Sequence, residues 1–174
     1  KSSSMKGRIL VAGSALLGLV VLVFLVIALF SFFTTKKTGD VKDISARQTE
    51  ILRVVELGLD GTTNKDTKNK LSTIKTVVSS DKISLSSYMK KNKIQLDAVE
   101  QNAKKDKDSD KNLETAKQNN RFDDELNTIL DKLISGYTRS LKTAFEENET
   151  KSGKSVLSAA YKNVGLIGGP VASE

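Results

Sequence analysis

Apolar positions along the chain follow two regimes. From Ile9 to Phe33 no side chain is charged, and Gly13, Ser14, Gly18 and Ser31 are the polar or weakly apolar interruptions. From Val41 onward apolar residues return at spacings of three and four, the signature of helices with one buried stripe. The first regime predicts a membrane-spanning helix. At about 1.5 Å per residue, residues 9–33 reach roughly 37 Å, enough to cross a hydrocarbon core of about 30 Å with some tilt. A helix apolar on every side is also hard to bury in a soluble domain this small.

The second regime predicts a bundle of about four antiparallel helices. Val41, Ile44, Ile51, Leu52, Val55 and Leu59 share one stripe over about residues 40–59, interrupted by Gln48; Asp40 suits the N-cap, and Gly58 or Gly61 suits the end. A second helix is expected from Thr63, whose spacing to Asp66 approximates a capping box, through Leu71, Ile74, Val77 and Val78, with a break or kink at Ser79, Ser80 and Asp81. A third follows Leu85, Met89, Asn92, Leu96, Val99 and Ala103 as a heptad-like seam. Residues 104–111 read as a charged linker. Leu113, Ala116, Phe122, Leu126, Ile129, Leu133, Tyr137, Leu141 and Ala144 predict one long helix to about Asn148, with a bend near Asn119 and Asn120. A short last helix holds Val156, Leu157, Ala160, Tyr161 and Val164, and the Gly168-Gly169-Pro170 turn ends it. The expected organisation is a short cytoplasmic N-terminus at 1–8, a transmembrane signal anchor at 9–33, a linker at 34–39, an extracytoplasmic bundle at 40–165 and a tail at 166–174.

Charge refines this topology. The formal net charge is +7, but Lys1, Lys6, Arg8, Lys36 and Lys37 face no acid before Asp40. Most of the excess therefore flanks the apolar run. A secretory signal has a shorter apolar stretch and a small-residue cleavage site, whereas this run leaves through Phe30, Phe32 and Phe33. The expectation is an uncleaved single-pass anchor in the cell membrane, with the basic N-terminus inside and the C-terminal domain outside. Within the bundle, residues 65–107 are rich in Lys and residues 108–150 in acid. Neighbouring helices of opposite sign would attract. The alternative use of the basic segment is a contact with anionic envelope polymer or lipid, made by Lys90, Lys91, Lys93, Lys104, Lys105 and Lys107. Nucleic acid is not an expected partner, since no aromatic residues interleave with these lysines and no Arg joins them.

Composition removes further chemistry. The chain contains no His, Cys or Trp, so triads and zinc sites built on His or Cys are impossible, and no cofactor or metal is expected. Asp106, Asp108 and Asp110 match the first three ligand positions of a calcium loop, but Lys111 stands where Gly is needed and Lys117 where a bidentate Glu is needed. That segment reads instead as an interhelical loop whose Asp110 or Ser109 caps the next helix. Asn148-Glu149-Thr150 fits the glycosylation triplet.

Asn120-Arg121-Phe122-Asp123, followed by the stripe through Leu126, Ile129, Leu133 and Tyr137, resembles the start of the third helix in a family of uncharacterised bacterial extracytoplasmic ferritin-like four-helix domains. The resemblance implies a four-helix architecture and export. It carries no metal role, because a di-iron site would need Glu-x-x-His pairs.

The function expected from these features is non-enzymatic. The chain reads as a membrane-anchored interaction or assembly module of the cell envelope, with the lipid bilayer and an envelope protein as partners. A ligand-sensing or solute-binding bundle is the first alternative and would place a cavity beside Tyr88, Tyr137 or Tyr161. An enzyme would bury a partnered Lys or acid in a cleft.

Overall fold

The computed structural model describes residues 40–168. The predicted span at 9–33, the linker and the end of the tail lie outside them. Among the described residues no helix is long and apolar enough to cross a membrane. The described elements are all helical: α1 (Val41–Gly61), α2 (Lys65–Lys91), α3 (Ala98–Gln101), α4 (Lys107–Gln118), α5 (Phe122–Glu147), α6 (Lys151–Val164) and a 3-10 turn (Gly165–Ile167).

Four of these helices close a ring. α1 packs on α2 and α5, and α6 packs on α2 and α5 in turn. Contacts along the helices set their directions. The end of α1 meets the start of α5 where Gly61 lies against the Phe122 ring, and the end of α2 meets the α5–α6 turn where Tyr88 bonds Thr150. Asn163, late in α6, bonds Asp81 midway along α2. Each helix is therefore antiparallel to both ring neighbours. Because α2 and α5 run the same way, the chain must return along the bundle between them, and residues 92–121 form that crossover.

The apolar stripes explain the ring. Ile44, Ile51, Val54 and Val55 of α1, Leu71, Ile74, Val78 and Leu85 of α2, Leu126, Leu130, Ile134 and Leu141 of α5, and Leu157 and Val164 of α6 are all at most 2% exposed. Ile167, assigned to the tail from sequence, is also buried.

Capping chemistry fixes most helix starts. Asp40 accepts from the Asp43 amide, as expected. The cap of α2 is Asn64, which accepts from the Asp66 and Thr67 amides, rather than Thr63, whose spacing to Asp66 suggested it. No break occurs at Ser79–Asp81; α2 runs through to Lys91.

The expected third helix over Leu85–Ala103 does not exist. Leu85 and Met89 belong to α2, which stops in a Schellman motif: Lys93 adopts φ 57°, its amide donates to the Lys90 carbonyl, and Ile94 donates to the Met89 carbonyl. The same device splits the expected long helix. Asn120 has φ 55°, and the Asn120 and Arg121 amides reach back to the Lys117 and Ala116 carbonyls. What spacing suggested was a bend separates α4 from α5. The charged linker at 104–111 is largely the first turn of α4, capped by Asp106 rather than by Ser109 or Asp110, which lie inside the helix. Thr150 caps α6 by accepting from Gly153, several residues earlier than the apolar pattern begins.

Candidate functional site

Two hydrogen-bonded polar pairs cross between ring helices: Gln48 of α1 with Tyr137 of α5, and Asp81 of α2 with the half-buried Asn163 of α6. Gln48 sits one turn from Ile44 and one turn from Ile51, and Asp81 lies between Val78 and Leu85, so both occupy positions that the helical period assigns to the core. Gln48 and Tyr137 are 0% exposed and Asp81 is 5%. Gln48 Nε2 donates to Tyr137 Oη at 2.9 Å. Asn163 Nδ2 donates to Asp81 Oδ1 at 2.7 Å. Two buried acceptors, Gln48 Oε1 and Asp81 Oδ2, have no hydrogen-bond donor.

The electrostatics follow from this burial. Removal from water pushes the Asp81 carboxyl above its ordinary range, and the bond from Asn163 opposes this only in part. Burial likewise pushes the Tyr137 phenol upward; the bond from Gln48 opposes, and the Asp81 charge adds to the rise. Asp81 and Tyr137 are thus close enough to interact. Lys82, the next residue along α2, is pulled downward by burial and donates to Thr49 Oγ1 at 2.9 Å.

A second polar cluster fastens the crossover. Arg53 grips both oxygens of Glu50 at 2.7 Å, engages Asp110 and donates to the Asp106 carbonyl at 3.3 Å. Glu50 is 2% exposed and also accepts from the Asp106 amide. The hydrogen bond to Glu50 and then that to Asp110 hold the Arg53 guanidinium firmly protonated against the opposing effect of burial. Lower on α1, burial alone would push Asp43 up, but the bonds from Lys104 and Arg47 outweigh it and hold the carboxyl below its ordinary range. Lys42 bonds Glu100 beside them at 2.7 Å.

The residues singled out from sequence are dispersed by the fold. Lys90, Lys91 and Lys93 stand exposed at the end of α2, where the helix dipole itself favours positive charge. Lys104 is drawn onto Asp43 at 2.7 Å, while Lys105, just before α4, and Lys107, its first residue, are exposed. Complementarity between the basic and acidic segments is represented by Lys70 with Asp131, at 3.9 Å. α1 supplies more of the partners for the described ion pairs, through Asp43, Arg53 and Glu56. The calcium-like spacing serves other ends: Asp106 accepts from Asp108 and Ser109, and Asp110 meets Arg53. The glycosylation reading of Asn148 is corrected by its burial, 1% exposed, and by its bonds to Tyr88 and Thr150. A glycan on that amide would displace the α5–α6 turn.

A ferritin-like metal centre does not fit the donors present. The chain has no His, and among the described residues no three metal-ligating side chains are placed to share an ion. Surface grooves occur elsewhere. One of about 340 Å³ lies between the end of α1, α4 and the start of α5, with Leu57, Leu113 and Phe122 in its wall and Asp60, Glu114 and Lys117 at its edge. No protein-family model, curated protein or solved structure matches the chain.

Proposed function

We propose that this chain is a membrane-anchored, extracytoplasmic helical-bundle protein that acts as a non-enzymatic interaction or assembly module of the cell envelope. The anchor rests on the uncharged run at 9–33 and its basic flanks. The observation that carries the non-enzymatic part is the state of the polar residues in the bundle. Gln48 and Tyr137 have no exposure, so a solute from outside does not reach them in this packing, and Tyr88 is turned onto Asn148 and Thr150. Tyr88 and Tyr137 are two of the three tyrosines beside which a sensing pocket is expected, and the buried acids Glu50 and Asp81 are 2% and 5% exposed. Recognition then falls to the outer surface, where Leu57, Ile83, Val99, Phe145 and Leu166 are exposed.

The single long crossover is a connection that ferritin-like bundles also use. The basic residues Lys90, Lys91 and Lys93 remain the proposed contact for anionic lipid or polymer, and such binding would weaken with salt.

The test is crosslinking in intact cells with identification of the co-purifying proteins, combined with external protease. Cleavage within residues 40–174 from outside and a reproducible envelope partner are expected. Full protection of that region rejects the orientation, and a partner confined to the cytoplasm rejects the function.

A further inference from the structure

We propose that Asp81 keeps its proton in the folded bundle, and that the layer formed by Gln48, Asp81, Tyr137 and Asn163 is a proton-dependent catch, closed while Asp81 is neutral and loosened when it ionises. The inference is independent of where the protein resides or what it binds.

The groups around Asp81 offer an anion little help. From α6 it receives the neutral amide of Asn163, and the next charge on that helix, Lys162, is exposed. From α5 the near group is Tyr137, a neutral phenol, while Arg139 is exposed. From α1 comes Gln48, also neutral, and Arg47 is engaged by Asp43 at 2.7 Å. On α2 itself Lys82 turns to the Thr49 hydroxyl. The 3-10 turn that also packs on α2 carries no charged residue. An ionised carboxylate would therefore be buried with one amide bond and no countercharge, which is strongly unfavourable.

Hydrogen bonding agrees. The layer holds two buried acceptors without donors, Asp81 Oδ2 and Gln48 Oε1. A proton on Oδ2 removes the buried charge and gives that otherwise unpartnered oxygen a hydrogen to donate. The upward push on Asp81 from burial has the same sense.

The consequence for stability has a definite sign. The unfolded chain releases the Asp81 proton near the ordinary carboxylate pKa, while the folded chain holds it to higher pH. The stability is fully present below the unfolded value and is lost as pH rises through the folded one. Within that window one proton separates the states, so the folding equilibrium constant falls at most about tenfold per pH unit. Because all four ring helices contribute to the layer, the loss is expected at their shared contact rather than at a frayed end.

The experiment uses the full chain, labelled with carboxyl-13C aspartate, followed by infrared absorption and by thermal melting from about pH 4 to about pH 9. Asp81→Asn retains an oxygen for Asn163 and cannot ionise. The expected result is a neutral aspartate carboxyl band at neutral pH in the wild type, absent in Asp81→Asn, together with a melting temperature that falls with pH in the wild type and is flatter in the variant. If the variant does not fold, the wild-type spectrum decides, since at Asp81 burial prevails and the net displacement is upward, whereas at Asp43 the bonds from Lys104 and Arg47 outweigh it. Aspartates that are all ionised at neutral pH, or parallel melting profiles in the two proteins, overturn the proposal.

Discussion

Gln48 Nε2 donates to Tyr137 Oη at 2.9 Å across the α1–α5 contact, between two side chains with no exposure to solvent. The pair therefore acts as a register mark, since sliding either helix by a turn strands a buried polar group against Leu or Ile. Tyr137→Phe leaves the amide unpaired and is expected to cost about 1–3 kcal/mol in urea denaturation. Gln48→Leu in the same background removes the stranded amide, and the double variant is expected to be more stable than Tyr137→Phe alone. Additive losses in the double variant would contradict a paired role.

Two glycines make opposite predictions. An added Cβ at Gly58 would stand 2.8 Å from Leu126 Cδ2 and 3.0 Å from Leu71 Cδ1, and both leucines are fully buried. Overpacking of about 1–3 kcal/mol should exceed the roughly 1 kcal/mol gained from helix propensity, so Gly58→Ala is expected to destabilise. At Gly136 the Cβ meets Arg47 Nη1 at 2.8 Å, the tip of a flexible side chain. Gly136→Ala is expected to be neutral or to stabilise by up to about 1 kcal/mol. Chemical denaturation of the two variants checks the contrast.

These sites also show what was legible in the sequence. The stripes of α1 and α6 and the cap at Asp40 follow from spacing and residue type, because burial of one helix face is a local pattern. Gln48 stood out as a polar interruption, but its partner lies far along the chain, and no local rule pairs it with Tyr137. Asp81 suggested a break, since an acid beside two serines competes with helix; burial against Asn163 instead kept α2 continuous. The false third helix arose because Leu85 and Met89 are followed at helical spacing by Asn92, Leu96 and Val99. Periodicity cannot register that Lys93 turns left-handed, and Val99 ends up 79% exposed. Asn120 was a weaker trap, as Asn tolerates that conformation.

Arg53 joins the ring to its crossover, so its loss should act on both. Glu50 is buried, and truncating its partner leaves a charge inside the fold. Arg53→Met is expected to cost about 3 kcal/mol or more. The same variant frees Asp110 and the Asp106 carbonyl, so limited proteolysis should cut within residues 102–121 before it cuts the ring helices. Cleavage that begins elsewhere would show that the crossover is held mainly by the apolar contacts of Leu113 and Ala116.

Asp43 should contribute to the acid limb of the stability profile, opposite in sign to Asp81. Burial pushes its carboxyl up, yet the bonds from Lys104 and Arg47 prevail, so the folded protein holds it below the value of the unfolded chain. Its contribution is present above the unfolded value and is lost as pH falls through the folded one. Lys104 and Arg47 are partly exposed, which limits the expected loss in Asp43→Asn at neutral pH to about 1 kcal/mol. The variant should unfold with a shallower dependence on acid, and the two proteins should converge once the folded wild type has also protonated Asp43. Asp43 links the first turn of α1 to Lys104 just ahead of α4. Amide exchange around Lys104 should therefore accelerate in the variant while the core of α2 stays protected, and equal acceleration in both places would mean that the bond stabilises the whole bundle rather than this junction.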